Sequence, residues 1–518
     1  MYFPLPHLLL GFLLAASPTG AASTGRPPRR PRADVMACLR ASNVPHIVKN
    51  SSSWASYATP YNLRLVYEPA VITVPETPDQ VSASVTCAAA ASLKVQAKGG
   101  GHSYASYSSG GQDGSLVVDM EKFSSIDLDH DTFIVKVGAG QRLGNVATQI
   151  FNQAQRALPH GSCPGVGIAG HALHGGYGYA SRKWGLALDA VTGLDVVLAN
   201  GTQIYTSADS QPDLFYAMRG AGDAFAIATS FYLQTQPAPS SVAYFTVGLA
   251  AALQDVETVT AGFAALQDFV LTSPLLTANI SLGMYTDSGG LFSLSGWCLE
   301  CDVSAVRATV LPAMLAGFPG ATPTVSRQGW IEALEYVAYP EPLEQPLGHE
   351  YSLHETFYAK SIVSKNAQPL TTAAIRAFWA YMIENRGRGP FYSIIDLYGG
   401  PSSAINTPSP DSAAYSERDA LWVFQNYGYA AGGQSTYDPA TTRLLEGLSA
   451  AVEDAQPHGE FSGYLNYVDP GLSPLMAAAE YYGAATYNRL LDIKAQVDPA
   501  FVFWNPQAVG NSVALPFE

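Results

Sequence analysis

The stretch AKGGGHSYASYSSGGQDG, residues 97–114, packs six glycines, a histidine and two tyrosines into a short span. Glycine weakens a helix or strand by roughly 0.5–1 kcal/mol per residue relative to alanine, so the cluster reads as a loop. What such a loop gains is bare backbone, whose amides can approach a ligand closely, often a phosphate. An ordinary surface turn is the competing reading. A second run, HGSCPGVGIAGHALHGGYG at residues 160–178, repeats the glycine pattern around a cysteine.

Outward from the first loop, residues 62–103 alternate short β-rich runs with one helical stretch, 78–91. That is a βαβ unit whose second strand enters the glycine loop. Residues 115–140 read as further short strands and RLGNVATQIFNQAQRAL as a helix. AVTGLDVVLANGTQIYTS is a strand, an Asn-Gly turn and a strand, a hairpin signal. PDLFYAMRGAGDAFAIATSFYLQT gives a helix, a glycine loop and a strand. Composition shifts near Pro237, where QPAPSS marks a boundary. Beyond it, helices alternate with strands such as LFSLSGWCLE and FYSIIDLYGG, an α+β block with its sheet covered on one face. The tail, from about Phe461, ends in a helix followed by DPAFVFWNPQAV.

A chain of 518 residues exceeds what one core usually supports, and 47% hydrophobic with 13% charged residues is a globular composition. The first 22 residues hold an apolar run of about ten followed by small residues, a secretory signal too short to span a bilayer. Residues 23–32, with RPPRRPR, read as a basic linker or propeptide. Residues 1–32 hold four of the 27 basic residues and no acid, leaving 23 basic against 42 acidic residues, a net charge of −19. Such a surface repels nucleic acid and anionic membranes. Sequons at Asn50, Asn200 and Asn279 fit a secreted glycoprotein. Of five cysteines, Cys38 with Cys87 and Cys298 with Cys301 can pair, and Cys163 remains single, so it calls for a buried thiol or a covalent role.

Two motifs mislead. GVGIAG at 165–170 meets the dinucleotide pattern, with Asp189 about 20 residues on. But Pro164 precedes it, and HALHGGYGYA after it is too glycine-rich for a helix. HEYSLH at 349–354 has histidines five apart, whereas two metal ligands on one helical face need a spacing of four. These read as solvated or packed histidines, and no metal is expected.

What remains are two loops, each with a nucleophile. KGGGHSY, HGSCPGVGIAGH, GYGYASRKWGLALD and the terminal FWNPQ resemble the secreted FAD-linked oxidases of the vanillyl-alcohol-oxidase superfamily, and within it the fungal oligosaccharide oxidases, relatives of the berberine bridge enzymes. The likeness runs over about residues 38–509. It implies an α+β fold: an FAD-binding domain over 33–238, an inserted substrate domain over 239–459 with an antiparallel sheet backed by helices, and a 460–518 segment returning to the flavin.

The resemblance further implies an FAD held by two covalent links, His102 to the 8α-methyl and Cys163 to C6. Gly99, Gly100, Gly101, Ser103, Gly167, His171 and Gly178 would contact the flavin, Ile227 the adenine side, and Asn505 and Gln507 would close over the ring. Val166 aligns with the position that governs oxygen access, where a small residue resembles the oxidases. Tyr467, in the "NY" of the tail, would be the base, with Asp396 as its hydrogen-bonded proton acceptor and Tyr104 lining the pocket. The expected partners are an oligosaccharide and O2, acting on an extracellular monomer. Two alternatives are the same chemistry on an alkaloid or polyketide, and a carbohydrate-binding protein with dead flavin loops. Ala221, Asp223 and Ala224 depart from the family's glycine run, and His174 stands where a glycine is usual. Ile394 and Lys360 replace polar subsite residues, so the sugar is left open among cello-, malto-, xylo- and chito-oligomers.

Overall fold

The computed structural model describes residues 34–431, 436–511 and 515; the expected leader and basic linker, residues 1–32, lie outside the described residues. Three helices open on the same local device. Thr77, Asp438 and Ser473 each cap an N-terminus with a side-chain oxygen, and a proline follows in the first turn of Pro78–Ala90, Pro439–Ala455 and Pro474–Val497. Proline costs nothing there, because its missing N–H is one the helix leaves unpaired. The last helix starts earlier than the tail sequence suggests, and it is broken at Gly483, where φ is 67°.

The helix Pro78–Ala90 follows the strand Val71–Thr73 and leads back to Val95–Lys98. These two strands are not neighbours: Leu116–Asp119 lies between them, parallel to both, and His46–Ile47 closes the other edge. The strand Val95–Lys98 thus ends directly at Gly99. A five-stranded antiparallel sheet follows, in the order Ile126–Leu128, Ile134–Gly138, Ile227–Gln234, Val191–Val197, Gln203–Ser207. Its last pair is the Asn-Gly hairpin. One continuous core of aliphatic and aromatic side chains joins both sheets to the tail helix.

Residues 242–429 carry a seven-stranded antiparallel sheet. Its order is Thr324–Gln328, Val242–Gly248, Phe292–Leu299, Ile280–Asp287, Phe391–Leu397, Ala420–Tyr429, Phe357–Lys365. Alternate residues of a strand face opposite sides. Phe391, Ile395 and Leu397, with Trp422 and Phe424, pack into a second core under the helices Val256–Thr272, Thr372–Glu384 and Pro439–Ala455. The intervening residues Tyr392, Ile394 and Asp396, with Gln425 and Tyr427, line a cavity on the other face.

The chain end returns to the first sheet. Val95 N donates to Val502 O at 2.8 Å, and Phe503 bridges Val95 in parallel. A buried Lys494–Asp498 pair at 2.6 Å organises this turn, with Asp498 also accepting the amides of Val502 and Phe503. Cys38–Cys87 and Cys298–Cys301 are disulfides, and Cys163 is free.

Candidate active site

The two glycine loops meet back to back. A Cβ on Gly100 would fall 2.3 Å from Gly167 N, and one on Gly167 would fall 2.2 Å from Gly100 N. Neither position has room for a side chain, so the glycines are required by contact rather than by backbone torsion. Arg142, almost fully buried, ties both loops: its guanidinium donates to Gly100 O at 2.8 Å and also to Gly165 O, Pro346 O and Gly348 O. Gly178 is equally confined, since a Cβ there would overlap His160 O.

Against these loops lies a cavity of about 530 Å³, bounded by the open face of the seven-stranded sheet and by the tail segments 464–468 and 503–509. All sixteen residues singled out from the sequence line it: His102, Cys163, Gly99, Gly100, Gly101, Ser103, Val166, Gly167, His171, Gly178, Ile227, Asn505, Gln507, Tyr104, Asp396 and Tyr467. They come from chain segments up to about 400 residues apart, and the returning tail is what brings the last of them in.

His102 is stacked on Tyr61, ring centroids 4.1 Å apart, and its Nε2 lies 3.0 Å from the Tyr351 hydroxyl. Burial, with Arg142 nearby, lowers its pKa to about 3, so it is a neutral imidazole. Cys163 is open to the cavity but walled in by protein; that burial, with Glu341 and Glu355, pushes its thiol up to about 11. His171 Nε2 accepts Gly161 N at 3.1 Å, and burial likewise lowers its pKa to about 3.

On the sheet face, Asp396 is buried and its carboxyl is pushed up to about 7 by burial. Gly283 on the neighbouring strand makes its space, since a Cβ there would sit 2.5 Å from Asp396 Oδ1. Tyr467 lies parallel to Tyr104 at 5.8 Å and edge-on to Tyr464 at 4.9 Å. Burial first, and then the charge of Asp396, raise the Tyr467 phenol well above its ordinary value. No hydrogen bond joins Tyr467 to Asp396 among the described residues, which differs from the direct contact expected. Tyr104 accepts Gln425 Nε2 at 2.7 Å.

The departures at His174 and Asp223 form one unit. His174 Nε2 meets Asp223 Oδ1 at 3.0 Å, while Asp223 Oδ2 accepts Asn505 Nδ2 at 2.7 Å. Burial alone would lower the His174 pKa, but Asp223 outweighs it and raises it. A six-residue helix, Ile168–Leu173, forms from the last three residues of GVGIAG and the first three of HALHGGYGYA, which departs from expectation. It stops at His174 because Gly175 and Gly176 take φ of 139° and 94°. The two histidines of HEYSLH have separate partners: His349 Nδ1 lies 2.7 Å from Glu121 Oε2 and His354 Nδ1 donates to Pro60 O at 2.9 Å. Residues that sequence reading passed over include Tyr351, Tyr61 and Tyr392, the last stacked at 4.9 Å on Tyr427, whose hydroxyl bonds to Glu355.

The chain matches the family model described as FAD binding domain over residues 69–207, and that described as Berberine and berberine like over 463–510. It is 36% identical over 504 residues to the xylooligosaccharide oxidase of Thermothelomyces thermophilus, covering 96% of this chain and 98% of that protein. It is 36% identical over 481 residues to the chitooligosaccharide oxidase of Gibberella zeae, covering 92% and 94%. The solved glucooligosaccharide oxidase of Acremonium strictum, described with a 6-S-cysteinyl, 8α-N1-histidyl FAD, has a TM-score of 0.85 at 31% identity. That match covers 93% of this chain and 100% of the other. The chain belongs to the berberine-bridge-type family of FAD-linked oxidases that includes the oligosaccharide oxidases.

The residues present fit an FAD. No acceptor among the described residues takes the backbone N–H groups of Gly100, Gly101, His102, Ser103 or Gly167, so they are available to a diphosphate. The buried Gln96 Nε2, Ser108 Oγ and Gln507 Oε1, all on the cavity wall, also lack a protein partner among the described residues. Unpaired buried polar atoms are costly, and a ligand rich in donors and acceptors answers them.

Proposed function

We propose that this protein is a secreted, monomeric flavoprotein oxidase that converts the reducing-end C1 hydroxyl of an oligosaccharide to the lactone, with O2 reduced to H2O2. The observation that carries the reading is the meeting of Asp396, Tyr467 and Tyr104 with the His102 and Cys163 loops on one cavity. Residues 33–238 and 460–518 are assigned to the FAD-binding part and 239–459 to the substrate part. The leader sequence supports export, and no helix among the described residues is long and apolar enough to cross a membrane.

His102 and Cys163 would anchor the FAD, and the free amides of the two loops would hold its diphosphate. When bound, FAD supplies the two-electron acceptor that oxygen later regenerates. Tyr467 takes the proton from the C1 hydroxyl, and Tyr104, fixed by Gln425, holds the sugar ring beside it. Asp396, whose charge acts on the Tyr467 phenol, is the destination of that proton. A carboxyl with a pKa of about 7 suits the task, being ionised at and above neutrality yet basic enough to accept. The aromatic faces of Tyr392 and Tyr427 suit the apolar face of a pyranose.

The test is peroxide release by the purified protein on cello-, malto-, xylo- and chito-oligosaccharides, with acid precipitation to ask whether the yellow chromophore stays bound. Peroxide from at least one reducing oligosaccharide and a coloured pellet are expected. Free flavin in the supernatant overturns the covalent links, and no peroxide from any of the sugars overturns the substrate class.

A further inference from the structure

Tyr351 has no part in the reaction above, yet its placement is built with care. Its ring carries the Arg142 guanidinium at 3.9 Å from the centroid. Its edge lies against Gly165, where a Cβ would be 2.2 Å from the hydroxyl oxygen. Arg142 and Gly165 belong to the junction of the two glycine loops, so Tyr351 is locked to that junction from a segment 249 residues beyond His102. The hydroxyl ends 3.0 Å from His102 Nε2, while His102 Nδ1 has no hydrogen-bond partner among the described residues. Glu341, which lines the cavity, is the carboxylate whose charge acts most strongly on the Tyr351 phenol, although no hydrogen bond joins the two among the described residues.

A neutral imidazole carries one proton, and the nitrogen that holds it is not a nucleophile. With the proton on Nε2 and given to the Tyr351 oxygen, Nδ1 keeps its lone pair and faces the reaction unprotonated. Tyrosine suits this place because a hydroxyl can accept and donate at once: it can take from Nε2 and pass a proton toward the Glu341 carboxylate nearby. Phenylalanine would fill the same space and do neither.

We propose that Tyr351 is the positioning residue for covalent flavin attachment, holding His102 with its proton on Nε2 and relaying that proton to Glu341 as Nδ1 bonds to the flavin 8α carbon. The proposal rests on His102 being the 8α anchor. The N–C bond forms as the methyl group loses one hydrogen as a proton and the imidazole loses its Nε2 proton. The two electrons left behind pass to the flavin ring and then to oxygen, which takes up two protons and leaves as peroxide. Once the link exists, Nε2 holds a lone pair and the Tyr351 hydroxyl reverses to donate to it. Burial supports the scheme at both ends, keeping His102 neutral and, with Glu355, raising the Glu341 carboxyl so that it can accept a proton.

The test uses the full chain with Cys163→Ala, so that only the histidyl link can form, made in a riboflavin-starved host and mixed with FAD. Aliquots are quenched in acid and the flavin-bearing peptide is measured by mass spectrometry, while non-covalent FAD binding is followed by its visible spectrum. The peptide containing His102 should carry the flavin. Tyr351→Phe should slow its appearance by roughly 10²-fold, the low end for a positioned proton acceptor, with FAD binding retained. Glu341→Gln should remove the fall in attachment rate that the Cys163→Ala protein shows as the pH drops through the range of that carboxyl. Unslowed labelling of His102 in Tyr351→Phe overturns the role of Tyr351 alone. Slowing that merely tracks lost FAD binding, or an unchanged pH profile in Glu341→Gln, overturns it as well. A flavin found on another residue overturns the reading of His102 and this proposal with it.

Discussion

Replacing Asp396 by asparagine should move stability and activity in opposite directions with pH. The carboxyl has a pKa near 7 in the fold against an ordinary 3.8, because burial disfavours its charge. Below about pH 4 the group is protonated in both folded and unfolded chains and costs the fold nothing. Between about pH 4 and pH 7 the unfolded chain ionises while the folded one does not, so the fold loses stability progressively over that range, and above 7 the loss is complete. Three pH units correspond to roughly 4 kcal/mol at full ionisation. Asp396→Asn removes that cost while keeping nearly the same shape, so it should stabilise the protein by several kcal/mol at pH 8 and by little at pH 4.5. Activity runs the other way. If ionised Asp396 receives the proton, the wild-type rate of sugar-driven flavin reduction falls about tenfold per unit below pH 7. Asp396→Asn should be slow throughout, with that dependence flattened. Denaturant titrations at several pH values and rapid mixing with a reducing oligosaccharide measure both arms. A variant equally destabilised at pH 4.5 and pH 8 would refute the buried-charge argument. A wild-type reduction rate independent of pH between 5 and 8 would refute the proton-acceptor role.

Tyr467→Phe should retain bound flavin and fold while slowing sugar-driven reduction by roughly 10²–10⁴-fold, with reoxidation by oxygen unchanged in the same rapid-mixing experiment. Val166→Leu should do the reverse, slowing reoxidation and sparing reduction. Gly100→Ala puts a methyl 2.3 Å from Gly167 N, where only backbone can yield, so the loops must separate and the purified protein should lose most of its flavin absorbance relative to protein absorbance.

Legibility followed chain distance. His102 and Cys163 stand out because glycine clusters are improbable in helices and strands, and that is a local property. The hairpin of Val191–Val197 with Gln203–Ser207 and the helix Pro78–Ala90 follow equally from neighbours in sequence. The βαβ reading was right in its elements and incomplete in its sheet, because the strand Leu116–Asp119 inserts between the two from outside the unit. The helix at Ile168–Leu173 was missed since glycine content was read over too long a window, whereas its six residues contain a single interior glycine, Gly170.

The sequence by itself determined which residues are chemically unusual: nucleophiles in bare backbone, a cysteine left over from two disulfides, a tyrosine and an aspartate in recognisable strings. Tertiary structure alone decided how they act. Asp396 acquires its basicity only because Gly283 and the surrounding protein bury it, and burial is a sum over atoms distant in the chain. Tyr351 reads as an ordinary tyrosine within HEYSLH. Its hydroxyl becomes a partner for His102 only where Arg142 and Gly165 bring that segment to the loops, since a hydrogen bond depends on a distance in space that no local pattern encodes.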